Sequence, residues 1–320
     1  VSQIDTPEID RDNLEERGIG PDQTFDKVLE ASLGRRHFLR GGAVAGAALS
    51  ASGIFLTGNE AKAATADLTF TSIGESKADK VVVPTGYEAH TLIRWGDPLY
   101  PGMAAFDPNN QTPADQAKRF GFNCDMVAMF PERFGAPAKI GRLPYPSYIM
   151  CVNHEYTTGT NMFPTYTASE NQVLVEIEAH GVSVVNVRVL NNNWSYDVTS
   201  PYNRRVTGTT PMQITGPAAG HDKLKTPADP TGTLVLGTFN NCAGGFTPWG
   251  TYLAAEENFD QYFANRSKIT DAKVALDHTD YTITSGATSR KWENYVARFD
   301  CSKSEGVNEP YRFGWMVEID

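Results

Sequence analysis

Basic charge is the first thing this sequence is short of. Its 28 Lys and Arg stand against 38 Asp and Glu, a formal net charge of −10, which lacks the positive footprint that a nucleic-acid partner requires. Histidine is scarce too, six residues scattered through 320, and this argues against a zinc site built on several imidazoles. The four cysteines, Cys124, Cys151, Cys242 and Cys301, are too far apart for a compact disulfide scaffold or a CxxC zinc knuckle. In an oxidising compartment they could pair, and their spacing leaves the pairing open. Helical and strand periodicities do not alternate, which excludes a doubly wound sheet. No strict internal repeat is visible, although strands ending in acidic or polar tips recur. The apolar run that ends at Leu56 is short and glycine-rich, unlike a membrane span.

What is present favours β structure. The 28 glycines and 19 prolines, with many Thr, Asn and Tyr, indicate a turn-rich protein of short strands, drawn from the barrel, sandwich and propeller classes. The acidity suits a protein that loads multivalent cations, and equally one that binds nothing charged.

The N-terminal region reads as a targeting segment. Residues 1–34 form an acidic leader expected to take no part in the fold. Arg35 and Arg36, then Phe38, Leu39 and a further basic residue, precede the apolar run. An A-x-A site at Ala61-Lys62-Ala63 follows, with cleavage expected after Ala63. This pattern resembles a twin-arginine export signal over residues 35–63. It implies the twin-arginine export machinery as a partner and a periplasmic or secreted destination for residues 64–320. That route carries folded proteins, so a metal could be loaded before export.

Along the remainder, "KVVVPTGYEAHTLIRWGDPL" reads as extended segments split at Pro84-Thr85-Gly86. "QTPADQAKRFG" predicts a short helix with Thr112 as N-cap and Pro113 in its first turn. "TASENQVLVEIEAHG" predicts a longer one, capped by Ser169, with Val173, Leu174 and Ile177 on one face and Gly181 as its stop. "VSVVNVRV" follows as a strand. Residues 191–235 read as a long loop with brief strands, and "NYVARFD" and "FGWMVEID" as two more strands. The chain stops inside the last of these, at Asp320, and reads as part of a longer protein.

Three stretches bear chemistry. "VNHEYT" puts Asn153, His154 and Glu155 at a strand tip, where oxygen ligands suit a hard cation and a solvated turn is the plainer reading. "LAAEENF" supplies Glu256, Glu257 and Asn258. Alternation along a strand sends the two glutamates to opposite faces, so one metal should not receive both. "NNCAGG" places Cys242 before Gly244 and Gly245, in an expected tight glycine turn. A thiolate is a ligand for iron, zinc or copper, not for calcium. Cysteine and carboxylates with few histidines point towards iron.

Six motifs in this order resemble the PhoX-type alkaline phosphatases of bacteria: "IRWGDPL" (93–99), "FGFNCDMVAMFP" (120–131), "CVNHEYT" (151–157), "EAHGVSVV" (178–185), "NNCAGGFTPWGTYLAAEEN" (240–258) and "FGWMVEID" (313–320). The resemblance implies a mainly β fold, a β-propeller with a few short inserted helices, here incomplete at its C-terminal side. It implies hydrolysis of phosphomonoesters at a cluster of ferric iron and calcium; the sequence itself gives no reason to expect an oligomer, so a monomer is expected. The family's metal-bridging cysteine matches Cys242. Its carboxylate ligands match Glu155, one or both of Glu256 and Glu257, and Glu318, and Asn258 is matched to a substrate phosphate contact. The chain departs from the pattern at Cys124, where asparagine is expected, and at Ala254-Ala255. Further ligands are expected beyond Asp320, and these residues alone are expected to be inactive. Two other readings stay open: a calcium-stiffened binding propeller, and a related phosphodiesterase or lactonase-like hydrolase.

Overall fold

The computed structural model describes residues 71–131, 147–191 and 193–320. The leader, Arg35, Arg36, Phe38, Leu39 and the Ala63 cleavage site lie outside them. Residues Ile73–Asp320 cluster as one unit. Among the described residues no helix is long and apolar enough to cross a membrane.

The architecture is mainly antiparallel β. Strands β1 (Cys124–Pro131), β2 (Ser147–His154), β3 (Gly181–Leu190) and β4 (Asn193–Tyr196) line up in that order, with β5 (Arg204–Val206) also paired to β3. A second sheet runs β10 (Met316–Ile319), β9 (Tyr252–Glu256), β8 (Asn241–Phe246), and β6 (Pro211–Gln213) pairs with β7 (Leu234–Leu236). No closed barrel or propeller ring forms among the described residues.

Burial explains the sequence pattern of each strand. β2 and β3 are covered on both faces, which is why they read as near-continuous apolar runs. On one side Cys151, Val182 and Val184 meet Tyr252, Ala254 and Ile319 of the second sheet. On the other, Met150, Val152, Val185 and Val187 meet Leu99 and Phe120. The stretch expected to be extended around residues 80–99 joins no ladder beyond a single bridge, Pro98 to Arg119. Its Leu92 and Ile93 instead lie flat on that outer face.

Both predicted helices form. α1 (Pro113–Gln116) is capped by the Thr112 hydroxyl, which accepts from the Asp115 N–H at 3.2 Å. A second short helix, α2, covers Gly159–Met162. α3 (Glu170–Ala179) starts at Ser169, whose N–H donates to the Gln172 side chain at 3.2 Å, one half of a capping box. Val173 and Ile177 enter an aromatic cluster around Phe239, Tyr262, Trp292 and Phe299, while Val175 and Ala179 face Met162 and Phe163. Gly181 sits at φ +93° and opens β3 directly. A Cβ there would lie 2.1 Å from the Val206 carbonyl oxygen, so only glycine fits.

α4 (Ala272–Asp280), capped by the Asp271 carboxylate, was not anticipated. The expected strand "NYVARFD" is two 3-10 turns, Trp292–Asn294 and Ala297–Phe299. Trp292, Val296 and Phe299 all face the aromatic cluster at spacings of four and three, a turn-like period that overrides the strand-like composition. All four cysteines are free thiols, so no disulfide forms among them.

Candidate metal centre

Cys242 does not lie in a glycine turn. It sits inside β8, and the reversal comes later, over Thr247–Thr251. The β8–β9 ladder pairs Asn241 with Glu256 and then Gly244 with Ala254, so three steps on one strand answer two on the other. The additional residue is a β-bulge at Cys242-Ala243, a device that re-aims side chains. Gly244 makes room for it, since a Cβ there would lie 2.6 Å from the Leu253 carbonyl oxygen.

β1 and β2 repeat this construction. Their ladder pairs Cys124 with His154 and then Val127 with Val152, leaving a bulge at Asp125-Met126. The residue ahead of each strand is an asparagine in the left-handed region, Asn123 at φ +56° and Asn240 at φ +52°. Each accepts from the residue that leaves the partner strand, Glu155 N–H to Asn123 O at 3.1 Å and Glu257 N–H to Asn240 O at 2.9 Å. Two strand pairs thus present two bulge residues, Asp125 and Cys242, and two exit glutamates, Glu155 and Glu257.

These groups converge. Ligand atoms of Asp125, Glu155 and Cys242 all lie within 4.8 Å of one another. The Asp125 carboxylate, followed by burial and the Glu257 carboxylate, pushes the Cys242 thiol up to about 12. Burial first, then the Asp125 and Glu257 charges, also raises Glu155. Anions gathered this closely repel one another unless a proton or a cation sits among them. The donor set suits a cation: hard carboxylate oxygens accept calcium or iron, and the sulfur favours the softer transition metal.

Asn153 locks the halves together. Its Nδ2 donates to the Cys242 carbonyl at 2.9 Å and to that of Ala243 at 3.1 Å, and its Oδ1 accepts from the Tyr252 hydroxyl at 2.8 Å. The expected solvated tip is therefore a buried brace that fixes the bulge backbone. His154 points away from the cluster, its Nε2 hydrogen-bonded to the Gly121 N–H at 3.2 Å and to Ser183 Oγ at 2.6 Å. Burial holds its ring well below its ordinary pKa, so it stays neutral.

Glu256 and Glu257 part company as strand alternation requires. Glu257 lies by Cys242. Glu256 accepts from Thr238 Oγ1 at 2.7 Å, from the Phe239 N–H at 3.3 Å, and from the N–H groups of Gly314 and Trp315 at 2.9 and 3.1 Å. Its carboxylate is occupied in knitting the second sheet to its neighbours. Glu318 lies apart as well, on the exposed face of β10, where it accepts from Trp249 Nε1 at 2.8 Å and from Thr251. Asn258 is exposed directly after Glu257. Asp125 is the candidate donor that sequence reasoning missed. As a strand residue it carries no signal of its own, and only its equivalence to Cys242 marks it.

Similarity to known proteins extends across this region. No curated protein matches the chain. A solved structure, that of Pseudomonas fluorescens PhoX in complex with vanadate, a transition state analogue, superposes with a TM-score of 0.70 at 38% identity. The match covers 78% of this chain and 42% of that one, so the chain spans less than half the length of that relative. The family model for alkaline phosphatase PhoX matches residues 68–320. With the family's model running through both bulges and both exit glutamates, the chain belongs to the PhoX alkaline phosphatase family.

Proposed function

We propose that this chain supplies the metal-binding part of a phosphomonoesterase, with Asp125, Glu155, Cys242 and Glu257 holding a centre of ferric iron and calcium. The observation that carries the reading is the thiol of Cys242 set among carboxylates by a strand bulge, in a family of which one solved structure holds vanadate, a transition state analogue. Bound cations would neutralise the phosphoryl oxygens and polarise the phosphorus–oxygen bonds. The residues of the chain do the rest. The two bulges hold the donors at fixed separation, Asn153 keeps the Cys242 main chain from relaxing, and the neutral His154 adds no competing positive charge. Asn258, exposed beside Glu257, would donate to a phosphate oxygen. Glu256 and Glu318 are not assigned to the centre, because their oxygens are engaged elsewhere.

The propeller, the export route and the monomeric state belong to the same proposal. A strand-pair construction used twice is what repeated blades would produce. Arg35-Arg36 and the Ala61-Lys62-Ala63 site support twin-arginine export to the periplasm or beyond. The test is metal content together with phosphomonoester and phosphodiester hydrolysis, on the full-length exported protein and its Cys242→Ala variant. Iron and calcium in the wild type, faster monoester turnover, and joint loss of iron and activity in the variant are expected. Activity without iron, or a variant that keeps both, would return Cys242 to a structural role. Calcium with no turnover would favour a binding protein, and preferred diester turnover a different hydrolase.

A further inference from the structure

The segments that follow the two exit glutamates are joined by a third group that belongs to neither strand pair. Arg290 donates from Nη1 to the Thr157 carbonyl at 3.3 Å and to Thr157 Oγ1 at 3.1 Å. From Nε and Nη2 it donates to Gln261 Oε1, at 3.1 and 2.5 Å. Thr157 lies two residues beyond Glu155, and Gln261 four beyond Glu257. The Gln261 amide passes the contact on, donating from Nε2 to the Asn258 carbonyl at 3.0 Å. The guanidinium also stands over the Tyr262 ring, 4.7 Å from its centroid, and the Tyr262 hydroxyl accepts from Asn240 Nδ2 at 3.1 Å.

Among the described residues no carboxylate lies within ion-pair distance of Arg290. Its direct contacts are all to neutral acceptors and aromatic faces, and the buried Glu176 carboxylate, which also takes a hydrogen bond from Thr157, feels its charge without a direct ion pair. A planar fork reaching two loops at once accounts for those contacts. We infer that Arg290 is a positioning residue, a strap that fixes the separation of the Glu155 and Glu257 strand exits and of Asn258, and through them the spacing of the metal ligands. Lysine cannot replace it, since one ammonium cannot bridge Thr157 and Gln261 with the same rigidity.

The inference rests on the metal-centre reading above, and its test separates the two. Arg290→Lys, Gln261→Leu and the double variant are compared with the full-length wild type. Calcium affinity is measured by calorimetry on chelator-stripped protein, iron content after reloading, and kcat and KM on the loaded protein. Either single change should weaken calcium binding roughly 10- to 100-fold, as loss of an outer partner to a ligand does. It should lower kcat with KM within about twofold, and leave the melting temperature of stripped protein nearly unchanged; these are the outcomes expected of groups that act only on ligand geometry. The double variant should be no worse than the worse single one, because both changes cut the same strap. If Arg290→Lys fails to fold, Gln261→Leu alone decides. Unchanged metal affinity, or an equal fall in melting temperature with and without metal, would overturn the strap. A wild type that takes up neither metal would overturn the metal centre itself.

Discussion

The two halves of the centre share a backbone and differ in chemistry. Gly121-Phe122-Asn123-Cys124-Asp125 and Thr238-Phe239-Asn240-Asn241-Cys242 follow the same path. Each has an αL asparagine, a closing ladder pair and a bulge, and each faces a partner strand that ends in one inward and one outward polar residue. Even the support is matched: Gly121 N–H donates to His154 as Thr238 Oγ1 donates to Glu256. Yet one bulge presents an oxygen donor and the other sulfur. On the proposed reading, the main chain fixes where each donor stands, while the residue at the bulge decides which metal it would suit.

The sharpest way to break the comparison is to erase the difference. Cys242→Asp makes the second half like the first, and we expect iron loss with calcium retained. Hydrolysis should fall at least about 100-fold, the upper end of what disturbing a ligand's outer partner costs. Metal analysis with kinetics checks this, and retained iron would mean that sulfur is not what selects it.

Next in size is the brace. Asn153→Ala removes the partners of two carbonyls and of the Tyr252 hydroxyl, for a loss of about 3 kcal/mol by denaturant unfolding. It should weaken metal binding as well, because the bulge backbone is then free to relax. Stability loss without any loss of metal affinity would confine Asn153 to the core.

Equivalent positions should also carry opposite pH signatures. His154 has its folded pKa depressed by burial, below the ordinary 6.5. Its contribution is therefore fully present above pH 6.5 and is lost as pH falls. Glu256 has its folded pKa raised by burial to about 7, from 4.5. Its contribution is fully present below pH 4.5 and is lost as pH climbs to about 7. Each slope is bounded at about 1.4 kcal/mol per pH unit. Melting curves of metal-stripped protein should lose the acid limb in His154→Asn and the neutral limb in Glu256→Gln. Unchanged limbs would mean that neither group titrates with unfolding.

The smallest effect tests the shared backbone. Asn123→Ala should cost about 1 kcal/mol, from an alanine forced into the left-handed region, and Asn240→Ala about 1 kcal/mol more, because its side chain also donates to the Tyr262 hydroxyl. Relative to glycine at the same position, alanine should cost about the same at both, and an unequal alanine–glycine difference would show that the two bulges are less alike than their geometry.

Much of this was legible from residue type and spacing. The caps at Thr112 and Ser169 located their helices, and alternation separated Glu256 from Glu257 before any coordinates. Cys242 stood out as a thiol near carboxylates, whereas Glu155, on a tip that read more plainly as a solvated turn, came in only with the family resemblance. Asp125 did not stand out, because a bulge is a property of two strands in register and leaves no mark on one. The internal equivalence was hidden for the same reason. Its sequence echo is only Phe-Asn followed two residues later by a ligand, too short to register as a repeat. The setting of Glu318 was not legible, because a motif match does not say which way an edge-strand side chain faces.

Gly181 carries a last consequence. With no connecting loop between α3 and β3, helix and strand have no hinge between them, and they move as one lever or not at all. One inserted residue at this junction would turn every side chain of β3 over, sending Val182 and Val184 to the opposite side of the sheet. Length variation among related sequences should therefore collect elsewhere, and this corner should read as a fixed ruler against which the rest of the chain is measured.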